Sequence, residues 1–176
     1  MKSVLHIFVA AGLLVAACAS ASAATTDEAL ASRQYLIGTW NCAHTYRDFS
    51  GTYTTRYENV LDNRWIKQTY NFPASASTPA MVGEWYMGYN PQRQTWVRFG
   101  AMTTGQYFAL RMTDVSPTTS TWKYVGFFGS NQSDASSPDA TFTKISDTEY
   151  KVDGPTYKLN GTGPTVTEHH DCKKAS

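Results

Sequence analysis

The segment that decides the fold is TWNCAHTY, residues 39–46, taken together with EHHDCKK, residues 168–174. The first segment contains Cys-x-His, and the second contains the same spacing in reverse order, His-x-Cys. If the two segments are antiparallel neighbours in one sheet, a single register places cysteine opposite cysteine and histidine opposite histidine, with all the paired side chains on one face. The pairs that this register brings together are Trp40 with Lys174, Cys42 with Cys172, His44 with His170, and Tyr46 with Glu168.

Three interpretations of this mirrored pattern are open. The first is a disulfide between Cys42 and Cys172 that joins the first and last strands, as a pair of cysteines in an exported protein favours. The second is a Cys₂His₂ metal site, which is disfavoured because the spacing differs from that of zinc fingers and an oxidising compartment competes for the thiols. The third gives His44 and His170 a role in binding or proton transfer beside an intact disulfide. We therefore predict the disulfide and no metal.

After Gly38, the chain alternates short strand-like runs with turn residues. The runs are rich in Thr, Val, Tyr, Trp and Phe, and the links contain Pro, Gly, Asn and Asp. No helical pattern separates the runs, which argues against parallel strand–helix–strand units. About ten antiparallel strands joined in sequence order usually close into a barrel, because closure removes the exposed edges. The predicted runs are 38–47, 52–60, 64–72, 82–90, 95–102, 107–113, 121–129, 140–145, 149–158 and 164–174.

Residues 1–23 have the features of a secretory signal peptide, with Lys2 followed by an apolar run over 4–17 and then by small residues. The apolar run is shorter than the roughly 20 residues that a membrane-spanning helix needs. Cleavage after Ala-Ser-Ala at 21–23 would release a periplasmic or secreted protein. The alternative is that Val-Ala-Ala-Cys is a lipobox, in which case a lipid on Cys18 would anchor an outer-membrane lipoprotein.

Residues 24–37 are predicted to form a short helix and a lead-in to the barrel. Thr25 and Glu28 have the spacing of a capping box, in which each side chain accepts a hydrogen bond from the backbone of the other residue. The barrel domain then comprises residues 38–176. We therefore expect an all-β fold, a single up-and-down antiparallel barrel of about ten strands behind a short N-terminal helix.

Charge and motifs argue against several classes of function. Lys and Arg total 15 and Asp and Glu total 14, without a basic cluster that would bind nucleic acid or an anionic membrane surface. The sequence contains no nucleophile elbow, P-loop, dinucleotide-binding fingerprint or His-Glu-x-x-His motif. His169 is predicted to be a surface residue, because alternation sends it to the face opposite His170.

Large aromatic side chains occur in four of the predicted strands, in EWYMGY, TWVRF, QYFAL and WKYVGFF. They indicate either a filled core or a cavity lined with rings, and small-molecule pockets are mostly apolar with a few placed polar groups. Two carboxylate–arginine patterns, Arg56 with Glu58 and Glu84 with Arg98, would line such a cavity if they pointed inward. We expect both patterns to point outward, towards solvent.

Several motifs resemble those of known β-barrel families. The stretch LIGTW at 36–40 is similar to the opening of the lipocalins and the wider calycin superfamily, in which the Trp packs at the closed end of the barrel against a basic residue of the last strand. A closer resemblance is to an uncharacterised group of exported, lipocalin-like bacterial proteins, and it implies a calycin-type barrel without implying an activity. The shared motifs are GTW-x-C at 38–42, L-x-x-RW at 61–65, YNP-x₄-W at 89–96, SDTEY at 146–150 and C-x-K at 172–174.

The ending TEHHDCKK, residues 167–174, is also similar to the last strand of nitrobindin. Nitrobindin is a ten-stranded calycin-like barrel that holds haem through a histidine on that strand. This resemblance implies haem as the alternative cofactor.

Together, these features predict an exported barrel that binds a small apolar or amphipathic ligand without catalysis or a cofactor. The alternative function is that of a haem-binding protein, or of an acid–base enzyme of the isomerase or cyclase kind, acting through the two paired histidines. The predicted ligand-binding residues are Trp40, His44, Tyr46, Glu168 and His170.

Overall fold

The computed structural model describes residues 24–46, 49–74, 79–105, 107–116, 118–128, 140–158 and 165–176. The predicted signal peptide, residues 1–23, and its Cys18 lie outside the described residues. The helical elements are α1 (Thr26–Ala31) and a 3-10 helix (Gln34–Leu36). The strands are β1 (Gly38–Tyr46), β2 (Phe49–Val60), β3 (Trp65–Phe72), β4 (Met81–Asn90), β5 (Thr95–Met102), β6 (Tyr107–Val115), β7 (Thr119–Phe128), β8 (Ala140–Lys144), β9 (Glu149–Lys158) and β10 (Thr165–Lys174).

These strands form a closed antiparallel barrel, in which each strand pairs with its neighbours in the sequence and β10 returns to pair with β1. The prediction of an all-β, up-and-down barrel is confirmed. The register between β1 and β10 is the one that the mirrored spacing predicts, with Cys42 opposite Cys172 and His44 opposite His170. Closure pairs every strand on both sides, so the sheet has no free edge.

A disulfide joins the first and last strands of the barrel. Cys42 and Cys172 are bonded, with their Cα atoms 4.1 Å apart and a sequence separation of 130. In the chain-entropy model, a cross-link of this span stabilises the fold by about 5 kcal/mol. Because both sulfur atoms are used in the disulfide, the Cys₂His₂ metal interpretation is excluded.

Helix α1 begins as the sequence predicts. The Thr25 amide donates to the Glu28 carboxylate at 2.8 Å, and the Glu28 amide donates to Thr25 Oγ1 at 3.3 Å. The helix ends after six residues, and Ala29 and Leu30 belong to the hydrophobic core. In the described part of the chain, no helix is both long enough and apolar enough to cross a membrane.

The segment between α1 and β1 covers one end of the barrel. Trp40 is fully buried there, and its indole N–H donates to the Leu36 carbonyl at 2.7 Å. Lys174 donates to the Tyr35 carbonyl at 3.0 Å and lies 5.5 Å from the Trp40 ring. Gly38 has a φ of +127°, and a Cβ at this position would lie 3.0 Å from Lys174 Cε. Glycine is therefore required where the chain enters β1.

Candidate functional site

A pair of stacked histidines lies at the seam between β1 and β10. The rings of His44 and His170 are 4.6 Å apart between centroids, with an angle of 24° between their planes. The side chains are only 10% and 13% exposed. The predicted juxtaposition of the two histidines is confirmed, because the register that pairs the cysteines also pairs these residues.

Glu168 joins the two histidines through one carboxylate oxygen. Its Oε1 atom lies 2.8 Å from His44 Nε2 and 3.2 Å from His170 Nε2. Burial alone raises the pKa of Glu168, but the hydrogen bonds from His170 and His44 outweigh this effect and lower the pKa to about 2. The carboxylate is therefore ionised at neutral pH and accepts hydrogen bonds from both rings.

Two aromatic side chains fix the orientation of the imidazoles. The hydroxyl of Tyr53 lies 2.9 Å from His170 Nδ1. Phe72 contacts His44 edge-on, with centroids 5.3 Å apart, and stacks on Tyr53 at 4.2 Å. We call His44, Glu168, His170 and Tyr53 the histidine cluster. Burial raises the pKa of Tyr53 well above its ordinary value, so this tyrosine remains protonated.

The structure brings together three of the five predicted ligand-binding residues, His44, Glu168 and His170. Trp40 lies on the same face but four residues back along β1, which is about 13 Å at the rise of an extended strand. It packs against Tyr150 at 4.7 Å between ring centroids and belongs to the closed end. The backbone of Tyr46 is paired with that of Glu168, and the side chain of Tyr46 lies outside the described part of the chain.

His169 points away from the histidine cluster. Its Nδ1 atom pairs with Asp153 at 2.8 Å on the exposed outer face. The prediction that alternation sends this residue to the surface is confirmed.

Of the four residues in the two carboxylate–arginine patterns, three point outward, as predicted, and one points inward. Arg56 and Glu58 both lie on the outer face, as predicted, with 3.7 Å between their charged groups. Glu84 is also exposed and pairs with Lys67 at 2.7 Å. The outward prediction is wrong for Arg98, whose side chain lines an interior cavity. Arg98 points inward because it shares the inward face of β5 with the buried Trp96, two residues earlier. Glu84, in contrast, occupies an outward position of β4.

Arg98 is held by a chain of polar contacts inside the barrel. Its guanidinium lies 4.2 Å from the centroid of the Trp85 ring and donates to Gln68 Oε1. The Gln68 amide donates in turn to Thr55 Oγ1 at 2.9 Å, and Thr55 Oγ1 donates to the Thr69 carbonyl at 3.1 Å. This arrangement fixes the guanidinium without neutralising its charge.

A second arginine faces the same cavity from the segment that follows α1. Arg33 is only 9% exposed, and its Nη2 atom lies 3.6 Å from the sulfur of Met112. Its Nε atom has no hydrogen-bond partner among the described residues. Within the described ranges, neither Arg33 nor Arg98 forms an ion pair with an acidic residue. We call these two residues the arginine pair.

The cavity that the arginine pair lines is small, with a volume of about 20 Å³. This is room for about one water molecule. Its walls are otherwise mainly aromatic and aliphatic, and neither His44 nor His170 contributes to them. Among the residues that line it are Tyr57, Trp85, Trp122 and Phe142.

The sequence analysis missed the arginine pair. For Arg98, the available signal was its spacing of two from Trp96, because residues i and i+2 of a strand share a face. For Arg33, the segment between α1 and β1 offers no such periodicity. Only the fold shows that this segment inserts a side chain into the barrel.

Comparison with known proteins supports the architecture. No protein-family model matches the chain, and no curated protein matches it. Among solved structures, Rv2717c from M. tuberculosis is similar with a TM-score of 0.60 and 13% identity, over 84% of this chain and 98% of that one. A redesigned β-barrel gives a TM-score of 0.44 with 14% identity, over 82% and 96% of the two chains. EF1p2_mFAP2b bound to DFHBI gives 0.40 with 14% identity, over 83% and 98%.

At 13% identity, the similarity to Rv2717c shows the fold and carries no information about a ligand or an activity. The chain is therefore a closed β-barrel whose function has to be inferred from its own residues.

Proposed function

We propose that this chain is an exported, lipocalin-like barrel that binds a small amphipathic ligand with an anionic head group, without catalysis. The observation that carries the proposal is the arginine pair, in which Arg33 and Arg98 line one interior cavity and neither has a carboxylate partner among the described residues. A buried cation that lacks a counter-charge destabilises the fold. A bound anion would supply that counter-charge, and the planar guanidinium group matches carboxylate and phosphate oxygens.

Aromatic rings next to the arginine pair provide a surface for the apolar part of such a ligand. Trp85, which lies beneath the Arg98 guanidinium, stacks on Phe108 with centroids 5.2 Å apart. Tyr70 contacts Phe72 at 5.3 Å, and this pair lies between Trp85 and the histidine cluster. A polar anchor surrounded by rings is typical of pockets for amphipathic small molecules.

The small cavity volume implies that the ligand displaces side chains when it binds. The segment between α1 and β1 covers one end of the barrel, so we expect the ligand to enter from the end where β1, β3 and β5 terminate. The Arg98 side chain is long and only partly buried, and its rotation off the Trp85 ring would enlarge the space. Side-chain rearrangement of this kind is common in binding without a large backbone change.

The disulfide supports the exported location in this proposal. Disulfides persist in the periplasm and outside the cell and are rare in the reducing cytosol. We propose that residues 1–23 direct export and are removed, which gives a periplasmic or secreted protein. Retention at the outer membrane through a lipid on Cys18 is the alternative, and loss of labelled palmitate in Cys18→Ala would identify it.

Haem does not fit the histidine cluster. The Glu168 carboxylate lies 3.2 Å from His170 Nε2, where a haem iron and its porphyrin ring would have to approach. His44 is stacked against the His170 ring and shares the same carboxylate oxygen. A porphyrin bound to His170 Nε2 would occupy the space of these groups, and we therefore do not propose a haem-binding function.

The proposal is tested by displacement of a fluorescent anionic dye, anilinonaphthalene sulfonate, from the untagged protein. The competitors are decanoate and 1-decanol, which share one hydrocarbon chain and differ in charge. We expect decanoate to compete at concentrations at least about tenfold lower than decanol, because hydrogen bonds to a charged group contribute about 1.5–3 kcal/mol. The variant Arg98→Gln should lose most of this preference.

The matched control is Arg56→Gln, which removes an arginine from the outer face and should leave the preference for decanoate unchanged. Equal competition by decanoate and decanol in the wild type, or failure of both to compete, would refute the proposed function. Mass spectrometry of small molecules that co-purify with the protein from its native host would identify the natural ligand class.

A further inference from the structure

The histidine cluster also has the composition of a metal site. His44, Glu168 and His170 each offer one ligand atom, and these three atoms lie within 4.8 Å of one another. They come from adjacent strands that the neighbouring disulfide joins covalently. None of these three residues lines the cavity of the arginine pair, so the two sites use different side chains.

We propose that His44 Nε2, His170 Nε2 and Glu168 Oε1 bind one divalent first-row transition metal ion. Two imidazole nitrogens and one carboxylate oxygen suit zinc, iron, cobalt and copper better than magnesium or calcium, which prefer oxygen ligands alone. Three protein ligands leave at least one coordination position for water or another small ligand. Three-ligand sets of this kind are typical of metal sites that keep an open position, whereas purely structural zinc sites use four protein ligands.

The two distances from Glu168 Oε1 to the histidine nitrogens are close to those that a metal ion requires. Bonds of about 2.0–2.2 Å in a tetrahedral site place neighbouring ligand atoms about 3.3–3.5 Å apart. Glu168 Oε1 lies 2.8 Å from His44 Nε2 and 3.2 Å from His170 Nε2. To admit the ion, these two distances have to lengthen by a few tenths of an ångström, and the two imidazole rings, which are stacked with 24° between their planes, have to rotate so that both Nε2 lone pairs point at it.

The groups around the ligands orient them for metal binding. A histidine that binds metal usually gives its other ring N–H to a hydrogen-bond acceptor, which fixes the tautomer. Tyr53 is placed to accept from His170 Nδ1 at 2.9 Å, and Phe72 packs against the His44 ring. The sequence analysis predicted no metal because it considered only cysteine and histidine ligands. When the barrel closes, Glu168 lies beside the two histidines and provides a third ligand atom, whereas the two cysteine sulfurs are used in the disulfide.

The experiment uses the untagged wild-type protein, stripped of metal with a chelator and titrated with Co²⁺. We expect one equivalent to bind and to give visible d–d absorption bands without a sulfur-to-cobalt charge-transfer band, because the cysteines are oxidised. Zn²⁺ should displace the cobalt and abolish the bands. This measurement on the wild type does not depend on the folding of any variant.

Substitutions then test the identity of the ligands. His44→Ala and Glu168→Gln should each weaken Co²⁺ binding by at least about a hundredfold, since loss of even an outer-shell partner weakens binding by 10- to 100-fold. The control His169→Ala removes the exposed histidine next to His170 and should bind as tightly as the wild type. Near-ultraviolet circular dichroism verifies that each variant is folded.

Two results would overturn the metal site. One is that the wild type, in the presence of excess Co²⁺ or Zn²⁺, shows no d–d bands and no bound cobalt or zinc. The other is equal Co²⁺ affinity in the wild type and in folded His44→Ala. Neither result would affect the anion-binding proposal, which the decanoate experiment tests at Arg98.

Discussion

A buried arginine without a carboxylate partner lowers the stability of a protein, and Arg33 has no such partner in the part of the chain that the structure describes. The residue is nine-tenths buried, its guanidinium contacts a methionine sulfur, and its Nε atom has no hydrogen-bond partner in the described chain. Proteins retain destabilising groups of this kind mainly where function requires them. The position of Arg33 is therefore itself an argument for a ligand.

We predict that Arg33→Met raises the free energy of unfolding by about 1–2 kcal/mol, because an apolar side chain of similar length replaces an uncompensated charge. The same substitution should weaken decanoate binding. Urea denaturation of the ligand-free protein measures the first effect. The control Arg56→Met, on the exposed outer face, should change stability by less than about 0.5 kcal/mol. A loss of more than about 1 kcal/mol in Arg33→Met would show that the guanidinium is a structural group.

Single residues also show how far the sequence alone could predict the site. The pairing of His44 with His170 follows from spacing, because one antiparallel register determines every pair on the two strands. The inward direction of Arg98 depends on which face of β5 is buried, and the sequence places an aromatic residue on each face, Trp96 on that of Arg98 and Phe99 on the other. The depth of Arg33 depends on how the segment after α1 enters the barrel, which no local pattern encodes.

At the level of elements, the seam between β1 and β10 combines the disulfide with the histidine cluster. The sequence predicted both of these strands and their register. The predicted start of the next strand, β2, was three residues too late, at 52 instead of Phe49. The sequence Asp-Phe-Ser-Gly has turn chemistry, but Ser50 and Gly51 pair with Thr45 and His44 of β1. Pairing with a neighbouring strand outweighs local turn preference here.

We predict that the double variant Cys42→Ala/Cys172→Ala unfolds with a free energy about 3–5 kcal/mol lower than that of the oxidised wild type. The physical reason is that the disulfide lowers the conformational entropy of the unfolded chain, because the loop that it closes contains most of the residues of the barrel. Urea denaturation of the oxidised and the reduced wild type provides the comparison, and the reduced protein should behave like the variant. Identical midpoints for oxidised and reduced protein would contradict the role assigned to the disulfide.

At the level of the whole molecule, the ten strands and the order of their pairing were predictable from turn residues, alternation and the mirrored segments. The closed end at Trp40 was expected only from the resemblance of LIGTW to the lipocalins. Closure of the barrel was predictable because an open meander of this size would leave two exposed edges. The interior volume was not predictable, since it depends on how rings from opposite strands interdigitate. The excess of aromatic residues was therefore compatible with either a filled core or a cavity lined with rings, and the described cavity has room for about one water molecule.

The central claim is that the barrel interior binds an anion at the arginine pair, and nuclear magnetic resonance of the arginine side chains tests it most directly. The Nε–H resonances of ¹⁵N-labelled protein are assigned with Arg33→Lys and Arg98→Lys and then followed during titration with decanoate. We expect saturable shifts of the Arg33 and Arg98 resonances, with Arg56 and Arg64 unchanged on the exposed surface. Shifts confined to Arg56 and Arg64, or no shift at saturating decanoate, would contradict the claim.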